Sequence, residues 1–189
     1  MFLSSSQHKT RRVRSWRRFW RATQGSTAIE FAILAPIFFA LLGATLETSI
    51  VFLTGQVLES AVQDAGRAVR TGQAQRRGDT LEKFRTALCD GTIGLVDCSK
   101  LHIEVTTVND FKTATVNAPI DWTCKSNCDW TRPEAYAPGQ GSSTVLVQVY
   151  YKYPLILTSG FFGVGQADLP DGKRLLGSVT VFKNEPFLT

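Results

Sequence analysis

The feature that most constrains this chain is a long apolar segment that follows directly on a basic N-terminus. The segment covers residues 28–53, which is 26 positions, and residues 31–46 carry no charged side chain. As an α-helix it would be about 39 Å long, and about 20 apolar residues are enough to cross the hydrocarbon core of a bilayer. The sequence therefore predicts a transmembrane helix over residues 26–53.

Two other interpretations of this segment compete with a membrane span. A buried core helix would seldom carry bulky side chains all round, as this segment does. A cleaved secretory signal usually has an apolar core of about 7–15 residues followed by a small-x-small exit, and this run is longer and lacks an obvious exit. A segment that stays in the membrane agrees best with the pattern.

The charges are segregated, so the formal net charge of +5 misleads. Residues 1–25 hold seven basic side chains and no acidic one, whereas residues 26–189 have 14 basic and 16 acidic side chains. A basic flank stays on the cytoplasmic side of a membrane span. The sequence thus predicts a cytoplasmic leader (1–25), a membrane helix (26–53) and an exported domain (54–189). Because the excess positive charge is confined to the leader, we expect no nucleic-acid partner.

A carboxylate, Glu30, lies near the start of the apolar run. A charged side chain deep in a bilayer costs at least about 2.5–3.5 kcal/mol and therefore needs a partner or a function. The simpler interpretation places Glu30 at the cytoplasmic interface, within reach of headgroup water. The residues around it favour a functional role, because Gly25 precedes it by five positions and Pro36 follows inside the apolar helix.

This arrangement resembles the type IV pilin class, and the stretch GSTAIEFAILAPIFFALLGATLETSIVF resembles the TadE-like family more closely. Members of that family, pseudopilins of the tight-adherence (Tad or Flp) pilus system, share a G-x-x-A-[IV]-E-F-A start, a later proline and a second acid. The matching positions here are Gly25, Ala28, Glu30, Phe31, Ala32, Pro36 and Glu47. Residues 58–75, 149–155 and 181–187 are also similar. The major Flp pilin is far shorter and has Tyr in place of Phe31, so the resemblance favours a minor pseudopilin.

The resemblance implies that a prepilin peptidase cuts between Gly25 and Ser26, which would leave Glu30 as the fifth mature residue. It also implies that Glu30, Pro36 and Glu47 take part in pairing subunits within the membrane. A buried carboxylate is tolerable when a cation such as a mature N-terminal ammonium accompanies it. The implied partners are the prepilin peptidase, the major Flp pilin and other minor pseudopilins. The implied location is the bacterial inner membrane, with a single pass, a periplasmic domain and a possible place on the surface pilus.

The exported part reads as an α+β domain with an antiparallel sheet, because strands follow helices without helical crossovers. An apolar stripe at i, i+4, i+7 and i+11 continues the first helix until Gly72 (Leu58, Val62, Ala65, Val69). A second helix is expected to start at Asp79, with Glu82 as its capping-box partner. Strand-like runs cover residues 101–108, 114–118, 145–153 and 176–182, and loops cover residues 133–143 and 159–172.

All four cysteines lie on the expected exported side, at Cys89, Cys98, Cys124 and Cys128. An even number in an oxidising compartment predicts disulfides, and three connectivities are possible. We favour Cys89–Cys98 and Cys124–Cys128 because both close short loops. The alternative is a zinc site, for which these spacings are poor.

No known catalytic motif is present, so we expect no enzyme activity, no metal and no cofactor. His102 is expected at the surface of an alternating strand, and Trp122 and Trp130 are expected in the core rather than on a contact surface. Two other function classes stay open beside the pseudopilin. One is a periplasmic module on a signal anchor that binds a ligand or surface unrelated to pili. The other is an anchored enzyme, which the lack of a site disfavours.

Overall fold

A computed structural model describes residues 25–126, 128–156 and 166–187 of the chain. Three α-helices come first: α1 (Ser26–Arg70), α2 (Gln73–Arg77) and α3 (Leu81–Gly91). Four strands follow: β1 (Leu101–Val108), β2 (Ala135–Tyr136), β3 (Thr144–Pro154) and β4 (Lys173–Lys183). The predicted α+β class is confirmed.

The first helix is 45 residues long and ends where the sequence predicted. Gly72 has a φ of +73°, a left-handed conformation that glycine adopts without a steric penalty. Its N–H donates to the carbonyl of Val69, and the Thr71 N–H donates to that of Arg67. The basic side chains of Arg67 and Arg70 lie in the last turn, where their positive charges interact favourably with the negative end of the helix dipole.

The start of the second predicted helix differs from the expectation. The N-cap of α3 is Thr80, whose hydroxyl accepts a hydrogen bond from the Lys83 N–H, and not Asp79. Asp79 instead forms an ion pair with Arg77 at 2.6 Å, in the turn that follows the short helix α2. Both residues are good caps, and this local ion pair draws Asp79 away from the helix start.

The strands form one sheet in the order β2-β1-β3-β4. The β1·β3 and β3·β4 pairs are antiparallel, as predicted, and the two-residue β2 lies parallel to β1. The register places Ile103 beside Val149 in one pair and Val149 beside Ser178 in the next. One continuous face of β1, β3 and β4 is thereby aligned for packing.

One predicted strand is wrong and one short strand was missed. Residues 114–118 form no strand, and they lie between a 3-10 turn (Phe111–Thr113) and Pro119. The alternating pattern of these residues does not correspond to a buried and an exposed face, since the apolar Val116 is exposed. Strand β2 falls inside the predicted loop 133–143, where only two residues pair. Of the predicted loop 159–172, residues 159–165 lie outside the described residues.

The main core forms where the apolar stripe of α1 meets one face of the sheet. All four stripe residues are buried with the inward side chains of β1 and β3 (Leu58, Val62, Ala65, Val69; Ile103, Val105, Val145, Val147, Val149). A smaller cluster of Ile120, Cys128 and Leu169 is accompanied by Trp130. The stripe that the sequence identified is therefore the packing face of α1.

The chain divides into two compact units, residues 1–42 and 43–189. The structure describes residues 25–42 of the first unit, all within or directly before α1. In the second unit, burial of α1 begins at Glu47 and continues with Val51 and Thr54. Within the second unit, helix residues are thus buried from residue 47 onward, and the predicted boundary between membrane helix and exported domain at residues 53 and 54 stays a prediction.

Candidate processing and membrane-anchor site

The candidate processing segment lies at the very start of α1. Ser26 is the first helical residue and Gly25 directly precedes it. A Cβ added to Gly25 would meet no atom of the described chain within 4 Å. Nothing in the described structure therefore requires glycine at this position, so a requirement for it would come from something that binds the segment from outside.

Glu30 lies one helical turn after Ser26, and its side chain is exposed. Its sequence neighbours Ile29, Phe31 and Ile33 are also exposed. A carboxylate is thus presented on a surface that is otherwise apolar. Such a group needs a cation, a hydrogen-bond donor or access to water wherever this surface is covered.

The apolar surface continues along α1 well beyond Glu30. Bulky side chains are exposed on all sides over residues 29–46 (Ile29, Phe31, Ile33, Leu34, Ile37, Phe38, Phe39, Leu41, Leu42, Leu46). In the described part of the chain, α1 alone is long and apolar enough to cross a membrane, with a mean hydropathy of 2.1 over its most apolar stretch. Pro36 lies inside this stretch and has no N–H, so it cannot donate to the carbonyl of Ala32.

The second acid of the helix, Glu47, has different surroundings. It is 8% exposed, and its Oε1 accepts the backbone N–H of Ile156 at 2.5 Å. At the next position the Thr48 hydroxyl accepts a hydrogen bond from the Gln166 side-chain amide. The sequence grouped Glu47 with Glu30 and Pro36 as a subunit-pairing residue. In the structure Glu47 accepts a hydrogen bond within its own unit and Glu30 is exposed, and the pairing role of the three residues stays a prediction.

Glu47 also affects a neighbouring phenol. Burial raises the pKa of Tyr153, and the nearby Glu47 carboxylate raises it further. Sequence reasoning missed the contact between α1 and the end of β3, since the two partners are 109 residues apart. An acid in an apolar run signals a polar partner, but it does not say which backbone group supplies it.

The four cysteines form two disulfides, Cys89–Cys98 and Cys124–Cys128, which are the two short loops favoured from the sequence. The first joins the end of α3 to the residues just before β1. The second closes a small loop that lies against the outer face of the sheet, where Cys128 is buried with Ile120 and Leu169. No group of three or more His, Cys, Asp or Glu side chains is placed to hold a metal ion among the described residues.

A buried polar cluster lies on the outer face of the sheet. His102 is 2% exposed, which corrects the expectation of a surface position. Its Nε2 lies 3.0 Å from Oε1 of Glu104, and Arg132 donates to both carboxylate oxygens of Glu104. The ring of Trp130 stacks on His102 at a centroid distance of 4.5 Å. The cluster is formed because Trp130 and Arg132 pack over a face that the alternating pattern predicted to be exposed to solvent.

The two tryptophans beside the second disulfide have different surroundings. Trp130 is half-buried, with the ammonium of Lys152 4.1 Å from its ring centroid. Burial lowers the pKa of Lys152, whose ammonium also donates to the Cys128 carbonyl. Trp122 is 57% exposed, so the expectation that it lies in the core is wrong. Lys152 thus links the disulfide loop to strand β3, through its contact with the Trp130 ring and its hydrogen bond to Cys128.

Residues 25–67 match the model of the TadE-like protein family. The match starts at Gly25, covers Glu30, Pro36 and Glu47, and extends through most of α1. It confirms the resemblance over that segment, while the similarity inferred for later parts of the chain stays a prediction. No curated protein and no solved structure matches the chain.

Proposed function

We propose, from the TadE-like match over residues 25–67, that the chain is a minor pseudopilin that takes part in initiating or assembling a Tad (Flp) type pilus. The observation that carries the proposal is that two starting points coincide at a glycine that the described structure does not require. The family match begins at Gly25, α1 begins at Ser26, and the described structure has no need for a glycine between leader and helix. A peptidase that binds an extended backbone explains that glycine, because glycine adds no side-chain bulk.

In this proposal α1 anchors the protein in the bacterial inner membrane, with the leader in the cytoplasm and the second unit exported. The exposed apolar surface of residues 29–46 supports a lipid or subunit environment. The two disulfides are suited to an oxidising compartment. The protein would act by packing against other subunits and not by catalysis, and its function would require no cofactor.

Glu30 would fix the position of the subunit relative to its neighbours during assembly. After cleavage the new ammonium belongs to Ser26, four residues before Glu30 and so one helical turn away. The carboxylate can pair with this ammonium or with that of a neighbouring subunit. In either case the pair would neutralise a charge on an otherwise apolar surface. The buried Glu47, by contrast, would hold the exported unit to its own helix.

The first experiment tests cleavage in cells that contain a prepilin peptidase, with Gly25→Val as the variant. We expect wild-type membrane protein to begin at Ser26 and the variant to keep its leader. Gly55→Val is the matched control, because an added Cβ meets no described atom at either glycine. N-terminal sequencing and intact mass read the result. An uncut wild-type chain would contradict the proposal and favour a signal-anchored binding module.

The second experiment tests Glu30 by Glu30→Gln, which removes the charge and keeps the shape. Loss of one partner of a buried ion pair costs about 3–5 kcal/mol, so assembly should fail while cleavage survives. Glu30→Asp should give an intermediate result, because its charge remains but reaches less far. Co-purification of pilus subunits and a count of surface pili measure the effect. Wild-type values for the Gln variant would show that Glu30 is an interfacial residue in contact with water.

A further inference from the structure

The loop closed by Cys89–Cys98 contains a β-branched residue in a left-handed backbone conformation. The φ angles are +46° at Ile93 and +76° at Gly94, and the Leu95 N–H donates to the Thr92 carbonyl at 3.0 Å. A four-residue turn with positive φ at both central residues has the type I′ pattern, in which Asn or Gly is preferred at the first central position. For isoleucine this conformation is an outlier.

The same side chain is exposed to solvent. Ile93 is 77% exposed, whereas the preceding Thr92 is completely buried. Packing within the described protein therefore does not compensate for the backbone conformation. An asparagine here would relieve the backbone and present a polar side chain. Ile93 thus combines a strained backbone conformation with an exposed apolar side chain, and both features lower stability. Since strained residues concentrate at functional sites, this combination indicates a role other than stabilising the isolated chain.

The turn is also held firmly in place. A Cβ added to the helical Gly91 would lie only 2.9 Å from Cβ of Ala61, so the end of α3 is pressed against α1. The Thr92 hydroxyl donates to the Cys89 carbonyl at 2.9 Å, and the disulfide ties that residue to Cys98. Ile93 is thus an apolar side chain presented in a fixed position. Pre-organised apolar anchors of this kind lose little entropy on binding.

The charge around the turn indicates what kind of surface would receive it. The segment from Cys89 to Cys98 carries two acids, Asp90 and Asp97, and no base. Both acids are exposed, and Asp97 additionally pairs with Lys100 at 2.8 Å. Since the Asp97–Lys100 pair is neutral, the net charge beside the turn is the negative charge of Asp90, which disfavours an anionic lipid surface and favours an apolar pocket with a basic rim.

We propose that Ile93 is an anchor residue by which the exported unit docks into an apolar, basic-rimmed pocket on another protein subunit of the same pilus. This inference rests on the proposed function for the existence of such a subunit. It adds a contact outside the membrane, formed by the disulfide-closed loop, to the contacts that the exposed part of α1 would make.

The first test is site-specific photocrosslinking from the full-length protein in cells that assemble pili. A photoreactive residue at position 93 should yield one discrete adduct with another pilus subunit, identified by mass spectrometry. Val116 is the control position, because it is exposed but lies in an extended loop outside the turn. Either no adduct above that control or an adduct with lipid would overturn the proposal.

The second test is Ile93→Asn, which should relieve the backbone and remove the anchor. We expect the Tm of the full chain in detergent micelles to rise by about 2–8 °C, and the number of pili to fall. Ser142→Asn is the matched control, since Ser142 is exposed, polar and has a φ of +66°. It should raise Tm without changing the number of pili.

The two proposals fail in different ways. In a deletion strain, restoration of pili by the wild-type chain tests the proposed function by itself. Once that restoration is established, a wild-type pilus number with Ile93→Asn would overturn the anchor and leave the proposed function standing. A lower pilus number with Ile93→Asn but not with Ser142→Asn would support the anchor.

Discussion

The two parts of helix α1 differ in the pattern of their side chains and in what surrounds them. Over residues 29–46 large apolar side chains are exposed on every side, and none is buried. Over residues 47–70 apolar side chains are buried on one stripe, and the exposed side changes from apolar at its start (Ile50, Phe52, Leu53) to polar farther on (Glu59, Gln63, Asp64). A helix that is apolar on all sides is stable only in lipid or when other protein surrounds it. A helix with one apolar stripe can bury that stripe against a single sheet.

Two acidic residues of the helix, Glu30 and Glu47, have different surroundings because they lie in different parts of it. Glu30 belongs to the part that is apolar all round, so its carboxylate is exposed on an apolar surface. Glu47 is the first residue of the covered part, and its carboxylate holds the Ile156 N–H. The same residue type is thus exposed on an apolar surface in one part and hydrogen-bonded within its own unit in the other.

Matched leucine truncations should separate the two parts most strongly. Leu58→Ala removes a side chain that is 1% exposed in the core, and should lower the free energy of unfolding of the second unit by about 2–5 kcal/mol. Leu42→Ala removes one that is 45% exposed, and should change it by no more than about 0.5 kcal/mol. Urea unfolding of the full chain in detergent micelles measures both. Equal losses would show that the two parts are packed alike.

A smaller effect is expected at the boundary between the two parts. Glu47→Ala leaves the Ile156 N–H without its acceptor, and should lower the free energy of unfolding by about 1–3 kcal/mol. Glu47→Gln keeps an oxygen in place and should lose less. Glu30→Ala should leave the same unfolding transition unchanged. A stability loss for Glu30→Ala as large as that for Glu47→Ala would contradict the division of roles.

Much of this fold was predictable because its signals are local. The stripe at Leu58, Val62, Ala65 and Val69 and the stop at Gly72 depend on spacing within one helix. The alternation in β1 and β3 likewise predicts strands, although it does not reveal that the outer face is also covered. His102 was therefore expected at the surface, because Trp130 is 28 positions away in the sequence and nothing local shows that the two rings stack.

Some features of the candidate site could likewise be predicted from local sequence, and others could not. The positions of Gly25, Glu30 and Pro36 could be inferred from the sequence, because the pattern that identifies them lies within 12 residues. The partner of Glu47 and the conformation of Ile93 could not. The first depends on a contact between segments far apart in the chain. The second breaks the preference of its own residue type, so sequence rules predict a different residue there.

The smallest predicted effect concerns Tyr136, which is half-buried on β2 and packs against the core beneath the covered part of α1. Its hydroxyl has no hydrogen-bond partner among the described residues, and its ring centroid lies 5.5 Å from that of Phe84. Burial, followed by the charge of Asp79, raises the pKa of Tyr136 to about 12. The folded state therefore favours the neutral phenol.

Because this pKa is raised above the unfolded value of about 10, the stabilising contribution is complete below pH 10 and is lost as pH rises through about 12. Tyr136→Phe removes an unpaired hydroxyl, so the free energy of unfolding near pH 7 should stay unchanged or rise by about 1 kcal/mol. Between pH 10 and pH 12 the variant should lose less stability than the wild type. Tyr153→Phe should act in the same direction, because burial also raises the pKa of that phenol. Urea unfolding in micelles at pH 9 and pH 11.5 measures the difference. An identical alkaline loss in wild type and Tyr136→Phe would show that this phenol does not report on the sheet beneath α1.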